Sequence, residues 1–152
     1  MLEMAKTPYR ADHITAERVT LIHGDLVTHH FPDASFDLVY SIGVLAEHAP
    51  FDREVAGHVH RTLRSGGRFA FSTVHPDSPS ITATAGRTIG RALAPLMPGP
   101  IKRRIRERLL SGGMYADEAR IREVLSPHFL IESIERFVSE AHLHCLCVAR
   151  KA

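Results

Sequence analysis

The chain has no tryptophan and only two cysteines among its 152 residues. Cys145 and Cys147 stand two positions apart in a run typical of a strand, so they share a face and are poorly placed to bond one another. We expect free, buried thiols, as in a reducing cytosol. No stretch approaches the roughly 18 apolar residues of a membrane span, and no basic segment leads into a long apolar one near the amino end. These absences predict a cytoplasmic protein.

The chain also lacks a large excess of either charge, because its formal net charge is only +2. The molecule as a whole therefore requires neither a nucleic acid nor a membrane partner. One basic run, residues 102–108, is typical of a solvated helix face. A lid over an anionic acceptor, a lipid surface and RNA are less favoured alternatives, and no aromatic side chains interleave to stack bases. We expect no nucleic-acid partner.

Three apolar runs in the first half predict strands at residues 19–22, 36–40 and 68–71. The second is almost continuously apolar, which predicts burial on both of its faces. Between the second and third, residues 52–63 carry an apolar residue every fourth position and predict an amphipathic helix, ended by Ser65-Gly66-Gly67. Strand, helix and strand with short links predict a right-handed crossover and parallel pairing.

The remainder is expected to complete a single domain of residues 1–152. Residues 1–6 predict a helix stub, stopped by Pro8. Residues 74–114 are rich in Pro, Gly, Ser, Thr and Arg and predict an insertion or lid, with a helix at 101–110. Residues 116–125 predict a further helix, and the β-rich runs 129–137 and 142–149 predict a terminal antiparallel hairpin.

Three segments carry a resemblance to a known family: VTLIHGD at 19–25, FDLVYSIGVLAEH at 36–48 and RTLRSGGRFAFST at 61–73. In order and spacing they resemble the class I S-adenosylmethionine-dependent methyltransferases. That family has an acidic residue after its third strand, an "FDLV" fourth strand followed by an "LEH"-like helix start, and an "LxPGG" turn before its fifth. Ser65 replaces the usual proline. The resemblance covers nearly the whole chain.

The family's first two strands, with the glycine-rich loop and the ribose-binding acidic residue, have no counterpart in the sequence. The resemblance thus implies an α/β, Rossmann-like methyltransferase sheet lacking its first two strands, mostly parallel with an antiparallel carboxy-terminal hairpin. In the family's labels the order is 3-4-5-7-6. A start placed at an internal methionine, gene truncation or the choice of expressed segment would explain it. We expect residues 19–23 to pair beside 36–41, because strands three and four lose their partners.

The resemblance also implies a set of site residues. Asp25 matches the carboxylate that accepts a hydrogen bond from the adenine amino group, and Leu26 supplies the adjoining backbone donor and an apolar contact. On sequence shape alone, an Asp in a turn after a strand is the favoured interpretation, and the family resemblance favours the adenine contact instead. Ser41, Ile42 and Gly43 match the end of the fourth strand, where methyl donor and acceptor meet, and Gly43 also suits a tight turn with positive φ.

His48, with Glu47 before it, matches the family's "EH" and could take a proton from an acceptor, because an unperturbed histidine pKa is about 6.5. Packing or capping at a helix start is the favoured alternative. His75, after the third strand, could face the acceptor. We expect no metal site from the last strand, because His142 and His144 point to one face and the cysteines to the other.

These residues imply S-adenosylmethionine as the cofactor and direct, in-line methyl transfer to a small-molecule acceptor. Without the glycine-rich loop, the activity of this chain is open. The alternative is a non-catalytic fragment that acts as an interaction module, or self-associates, through its open sheet edge.

Overall fold

A computed structural model of the chain describes residues 20–78, 98–99, 115–139 and 142–152. The chain forms two compact units, Met1–His30 and Phe31–Ala152. The helices predicted at 1–6 and 101–110, and most of the insertion predicted at 74–114, lie outside the described residues. A single domain with an insertion stays a prediction.

In the first unit, residues 20–30 contain a turn and no strand. The strand predicted at 19–23 is therefore wrong for its described residues, 20–23. A short apolar run becomes a strand only where a neighbouring strand takes its backbone groups and a core takes its side chains. Leu21 and Ile22 are instead 37% and 48% exposed.

The second unit is built on a four-stranded sheet of β1 (Phe36–Ser41), β2 (Leu63–Val74), β3 (Phe129–Ser139) and β4 (His142–Lys151). The strand order is β1-β2-β4-β3. β1 and β2 are parallel, and β4 is antiparallel to both of its neighbours. The predicted fold class is confirmed, with the order 4-5-7-6 in the family's labels. No described residues form a strand beside β1, so the expected pairing of 19–23 there is wrong.

Two helices pack on this sheet. α1 (Arg53–Thr62) begins at Asp52, whose Oδ1 accepts from the backbone N–H groups of Glu54 and Val55, both at 3.0 Å. α2 (Glu118–Leu125) begins at Asp117, which accepts from the N–H of Arg120 at 2.9 Å. Both predicted helices are confirmed. Within the described ranges, no helix is long and apolar enough to cross a membrane.

The predicted turn at Ser65-Gly66-Gly67 is wrong in its position. α1 ends at Thr62 and β2 begins at Leu63, so these residues lie inside β2. The register jumps from Phe36↔Leu63 to Leu38↔Arg68, which makes them a bulge. Gly66 has a φ of +75°, the left-handed conformation that glycine adopts without a Cβ clash.

The core lies between the helices and one face of the sheet. Phe51, Phe69 and Phe71 are fully buried, and ring centroids are 4.8 Å apart for Phe51–Phe71 and 4.5 Å for Phe69–Phe71. Cys145 and Cys147 are free and buried on this side of β4, as predicted.

The burial predicted for both faces of β1 is wrong. Leu38 and Tyr40 are 53% and 72% exposed. β1 is an edge strand of the described sheet, so its apolar side chains lack the cover that a central parallel strand has.

Candidate functional site

The carboxyl end of β1 places Ser41, Ile42 and Gly43 beside the neighbouring strand. The backbone N–H of Gly43 donates to Oγ of Ser72 at 3.0 Å, and Ser72 is buried within β2. Gly43 has a φ of +68°, which turns the chain out of the strand. The ends of β1 and β2 are thus tied together where the chain leaves the sheet.

The segment after Gly43 is a tight turn. The carbonyl of Val44 accepts from the N–H groups of Glu47, His48 and Ala49 at 3.2, 2.8 and 3.0 Å. The helix start expected at Glu47-His48 is therefore wrong, and α1 begins later. The side chain of His48 is 74% exposed, with Nε2 3.9 Å from Oε1 of Glu47.

Asp25 and Leu26 lie in the turn of the first unit. Oδ1 of Asp25 accepts from the N–H groups of Val27 and Thr28 at 2.8 and 3.1 Å, and its carbonyl accepts from the N–H of His29 at 2.9 Å. Leu26 is 39% exposed. Asp25 therefore stabilises a turn, as its sequence context allowed, and its side chain does so through Oδ1.

The structure brings Ser41, Ile42 and Gly43 together with the turn that carries His48, all in the second unit. Asp25 and Leu26 form their own pair in the first. The predicted site residues therefore form two groups, one in each unit.

The residues around Gly43 fit parts of S-adenosylmethionine, which joins an adenosine to a cationic sulfonium. Ile42 and Val44 are 58% and 46% exposed on either side of Gly43 and offer apolar contacts. A Cβ built at Gly43 would meet only Oε2 of Glu47, at 3.8 Å, among the described atoms. A ligand can approach the backbone here, and a carboxylate suits a positive charge.

A second group of chemistry-bearing side chains was not predicted as a site. His75 follows β2, Glu118 opens α2 and Cys145 lies in β4. Nε2 of His75 is 3.6 Å from Oε2 of Glu118, and Nδ1 accepts from the backbone N–H of Asp77 at 3.1 Å. Because these residues are far apart in the chain, no spacing motif indicates them.

The pKa values of Glu118 and Cys145 are shifted in opposite directions. Oε1 of Glu118 accepts from Nε of Arg136, and this bond lowers the pKa of Glu118 to about 2. Burial raises the pKa of the Cys145 thiol to about 11, with the Glu118 charge adding to the effect. The carboxylate is therefore ionised and the thiol protonated near neutral pH.

Comparisons with known proteins find similarity to methyltransferases. Residues 1–71 match the family model described as "Methyltransferase domain". A sterol 24-C-methyltransferase from Eremothecium gossypii is 43% identical over 54 residues, which are 36% of this chain and 14% of that protein.

Solved structures have the same fold. An S-adenosylmethionine-dependent methyltransferase from Methanosarcina mazei matches with a TM-score of 0.59 and 15% identity, over 84% of this chain and 65% of that one. The N-methyltransferase NodS from Bradyrhizobium japonicum, in complex with S-adenosylhomocysteine, matches with a TM-score of 0.52 and 15% identity, over 84% and 52%. At such identities the likeness shows the fold alone.

The fold is that of the class I S-adenosylmethionine-dependent methyltransferases. Residues 1–71 match the methyltransferase domain model, and the NodS structure with this fold holds S-adenosylhomocysteine, which is S-adenosylmethionine without its methyl group. The resemblance stated from the sequence is confirmed. The chain spans 14% of its sterol methyltransferase relative and 52% and 65% of the two solved structures.

Proposed function

We propose that this chain contributes adenosine-facing and acceptor-facing residues to the transfer of a methyl group from S-adenosylmethionine to a small-molecule acceptor in the cytoplasm. The observation that carries the proposal is the turn at Gly43. It lies within the matched methyltransferase segment, and its open backbone is flanked by apolar side chains and a carboxylate.

When bound, S-adenosylmethionine supplies an activated methyl group on a sulfonium sulfur. Asp25 keeps Oδ2 outside the turn's hydrogen bonds, and this oxygen accepts from the adenine amino group. Leu26 packs on the adenine ring. Ser41, Ile42 and Gly43 orient the donor and acceptor at the end of β1. Correct placement of the two reactants contributes the larger part of the rate acceleration in such a reaction.

His48 is proposed as the proton acceptor for the nucleophile. Its ring is exposed and lies beside the carboxylate of Glu47, in the turn that follows Gly43. This role assists the reaction and is secondary to orientation, because many methyl transfers need no strong base.

Isothermal titration calorimetry with S-adenosylhomocysteine tests the proposal on the chain as it stands. We expect saturable binding at micromolar concentration. Asp25→Asn keeps an oxygen for the turn and loses the carboxylate, so affinity should fall by roughly tenfold or more, the usual worth of a charged hydrogen bond. Asp33→Asn, in a separate surface turn, is the matched control and should bind as the parent does. Absence of binding at millimolar ligand would contradict the proposal.

A second candidate function is self-association through β1. The observation that favours it is the row of exposed apolar side chains formed by Leu38 and Tyr40 of this edge strand and by Ile42 just after it. Sedimentation velocity should show concentration-dependent association that Tyr40→Lys weakens. Val138→Lys removes an equally exposed apolar residue from β3 and should leave association unchanged. Equal effects of the two substitutions would reject β1 as the contact.

A further inference from the structure

A cluster of three metal-ligating side chains lies outside the proposed methyl-transfer site. The donor atoms of His75, Glu118 and Cys145 all lie within 4.8 Å of one another. His75 is 2% exposed and Cys145 is fully buried, while the side chain of Glu118 is 28% exposed. The cluster is therefore enclosed by the protein and open to solvent on the side of Glu118.

The backbone around the cluster is fixed by hydrogen bonds between the elements that supply it. Oγ1 of Thr73 donates to the carbonyl of Ala116 at 3.1 Å, and the N–H of Ala116 donates to the carbonyl of Val74 at 3.2 Å. The N–H of His75 donates to the carbonyl of Leu143 at 2.8 Å. These bonds hold the backbone segments that carry the three residues together, so side-chain adjustments alone would bring the donors, now within 4.8 Å of one another, to the spacing of a bound cation.

We propose that His75, Glu118 and Cys145 bind a divalent cation of the zinc type. An imidazole, a thiolate and a carboxylate are the donors that Zn²⁺ takes in proteins, and its bond lengths place tetrahedral donors roughly 3.3–3.8 Å apart. The 3.6 Å between Nε2 of His75 and Oε2 of Glu118 meets this spacing. A water on the solvent side completes four ligands.

The charges of such a site balance. Binding releases one proton from the Cys145 thiol to solvent, with no change of oxidation state. The thiolate and the Glu118 carboxylate then neutralise the two positive charges of the cation, and neutral His75 adds none. A buried site without net charge avoids most of the cost of burying an ion.

A neighbouring residue already orients one of the ligands, and a second lies close to another. Arg136 donates to Oε1 of Glu118, which leaves Oε2 facing His75. Oδ2 of Asp77 lies 3.8 Å from Nδ1 of His75. Binding through Nε2 would place the ring proton on Nδ1, so the Asp77 N–H would have to turn away from Nδ1 and Oδ2 of Asp77 would have to move closer to accept that proton.

Cobalt titration of chelator-treated protein tests the site, because a thiolate bound to Co²⁺ gives a charge-transfer band in the near ultraviolet. Only two cysteines exist in the chain, so the band reports on one or the other. We expect saturation at one equivalent of Co²⁺, displacement by Zn²⁺ and loss of the band in Cys145→Ser. Cys147→Ser, equally buried on the same face of β4, is the matched control and should keep it.

Two further measurements cover the case in which Cys145→Ser fails to fold. Glu118→Gln alters a partly exposed ligand and should weaken Co²⁺ binding by at least about tenfold. Nitrogen NMR of the parent protein should show His75 changing from the Nε2–H to the Nδ1–H tautomer when Zn²⁺ is added. A band lost in Cys147→Ser, no band at millimolar Co²⁺, or an unchanged His75 tautomer would overturn the proposal.

Discussion

Gly43 is the residue whose backbone conformation most directly shapes the candidate site. Its φ of +68° is unfavourable for any residue with a Cβ. Gly43→Ala should lower the free energy of unfolding by about 1–2 kcal/mol, measured by urea denaturation. Gly57→Ala, in the middle of α1, is the matched control and should raise it by about 0.5–1 kcal/mol. A rise in the free energy of unfolding for both substitutions would show that a Cβ at Gly43 carries no cost.

The protonation of a single residue, His60, makes the stability of the fold depend on pH. Burial lowers its pKa below the ordinary 6.5, and the positive charges of Lys151 and His128 add to the effect. The unfolded chain therefore binds a proton more readily than the folded one, so stability falls as the pH drops below about 6.5.

Replacing His60 with Gln should remove this part of the pH dependence. Urea denaturation of both proteins between about pH 7.5 and 5.5 should give a shallower loss of stability on acidification in the variant. Identical slopes in the two proteins would contradict the expectation.

The candidate residues differ in how far the sequence could predict them. Ser41, Ile42 and Gly43 are consecutive, so the prediction of strand β1 also located the turn that follows it. The grouping of His75, Glu118 and Cys145 was not predictable, because it depends on which strands and helix meet in the fold.

Helix α1 shows, at the scale of an element, what the sequence determines locally. Its cap at Asp52 and its apolar spacing lie within a few residues of one another, and its predicted bounds agree closely with Arg53–Thr62. The strand expected at 19–23 is wrong for residues 20–23, and the turn expected at Ser65-Gly66-Gly67 is instead a bulge within β2. Both depend on pairing with residues elsewhere in the chain, which local sequence does not contain.

Removing the Asp52 carboxylate should destabilise α1, because two backbone N–H groups lose their acceptor. We expect Asp52→Ala to lower the free energy of unfolding by about 1 kcal/mol in chemical denaturation. Asp52→Asn retains an accepting oxygen and should stay within a few tenths of the parent. An Asn variant as unstable as the Ala variant would mean that the charge, and not the cap, supports the helix.

At the scale of the whole molecule, the open edge of β1 sets the expected stability. Exposed apolar side chains on an edge strand contribute little burial energy and favour association. Thermal denaturation should give a midpoint below about 60 °C. This midpoint should change with protein concentration, because the chains associate. A monomer with a sharp transition above that temperature would contradict this view.

The order β1-β2-β4-β3 also constrains how the protein is made. β4 is the latest of the four strands to be translated, yet it lies between two strands made earlier. Until residues 142–151 emerge from the ribosome, the strand that lies between β2 and β3 is missing, so these two strands cannot become part of one sheet. A nascent chain stalled before His142 would expose both edges to chaperones, so assembly of this sheet awaits the synthesis of its central strand.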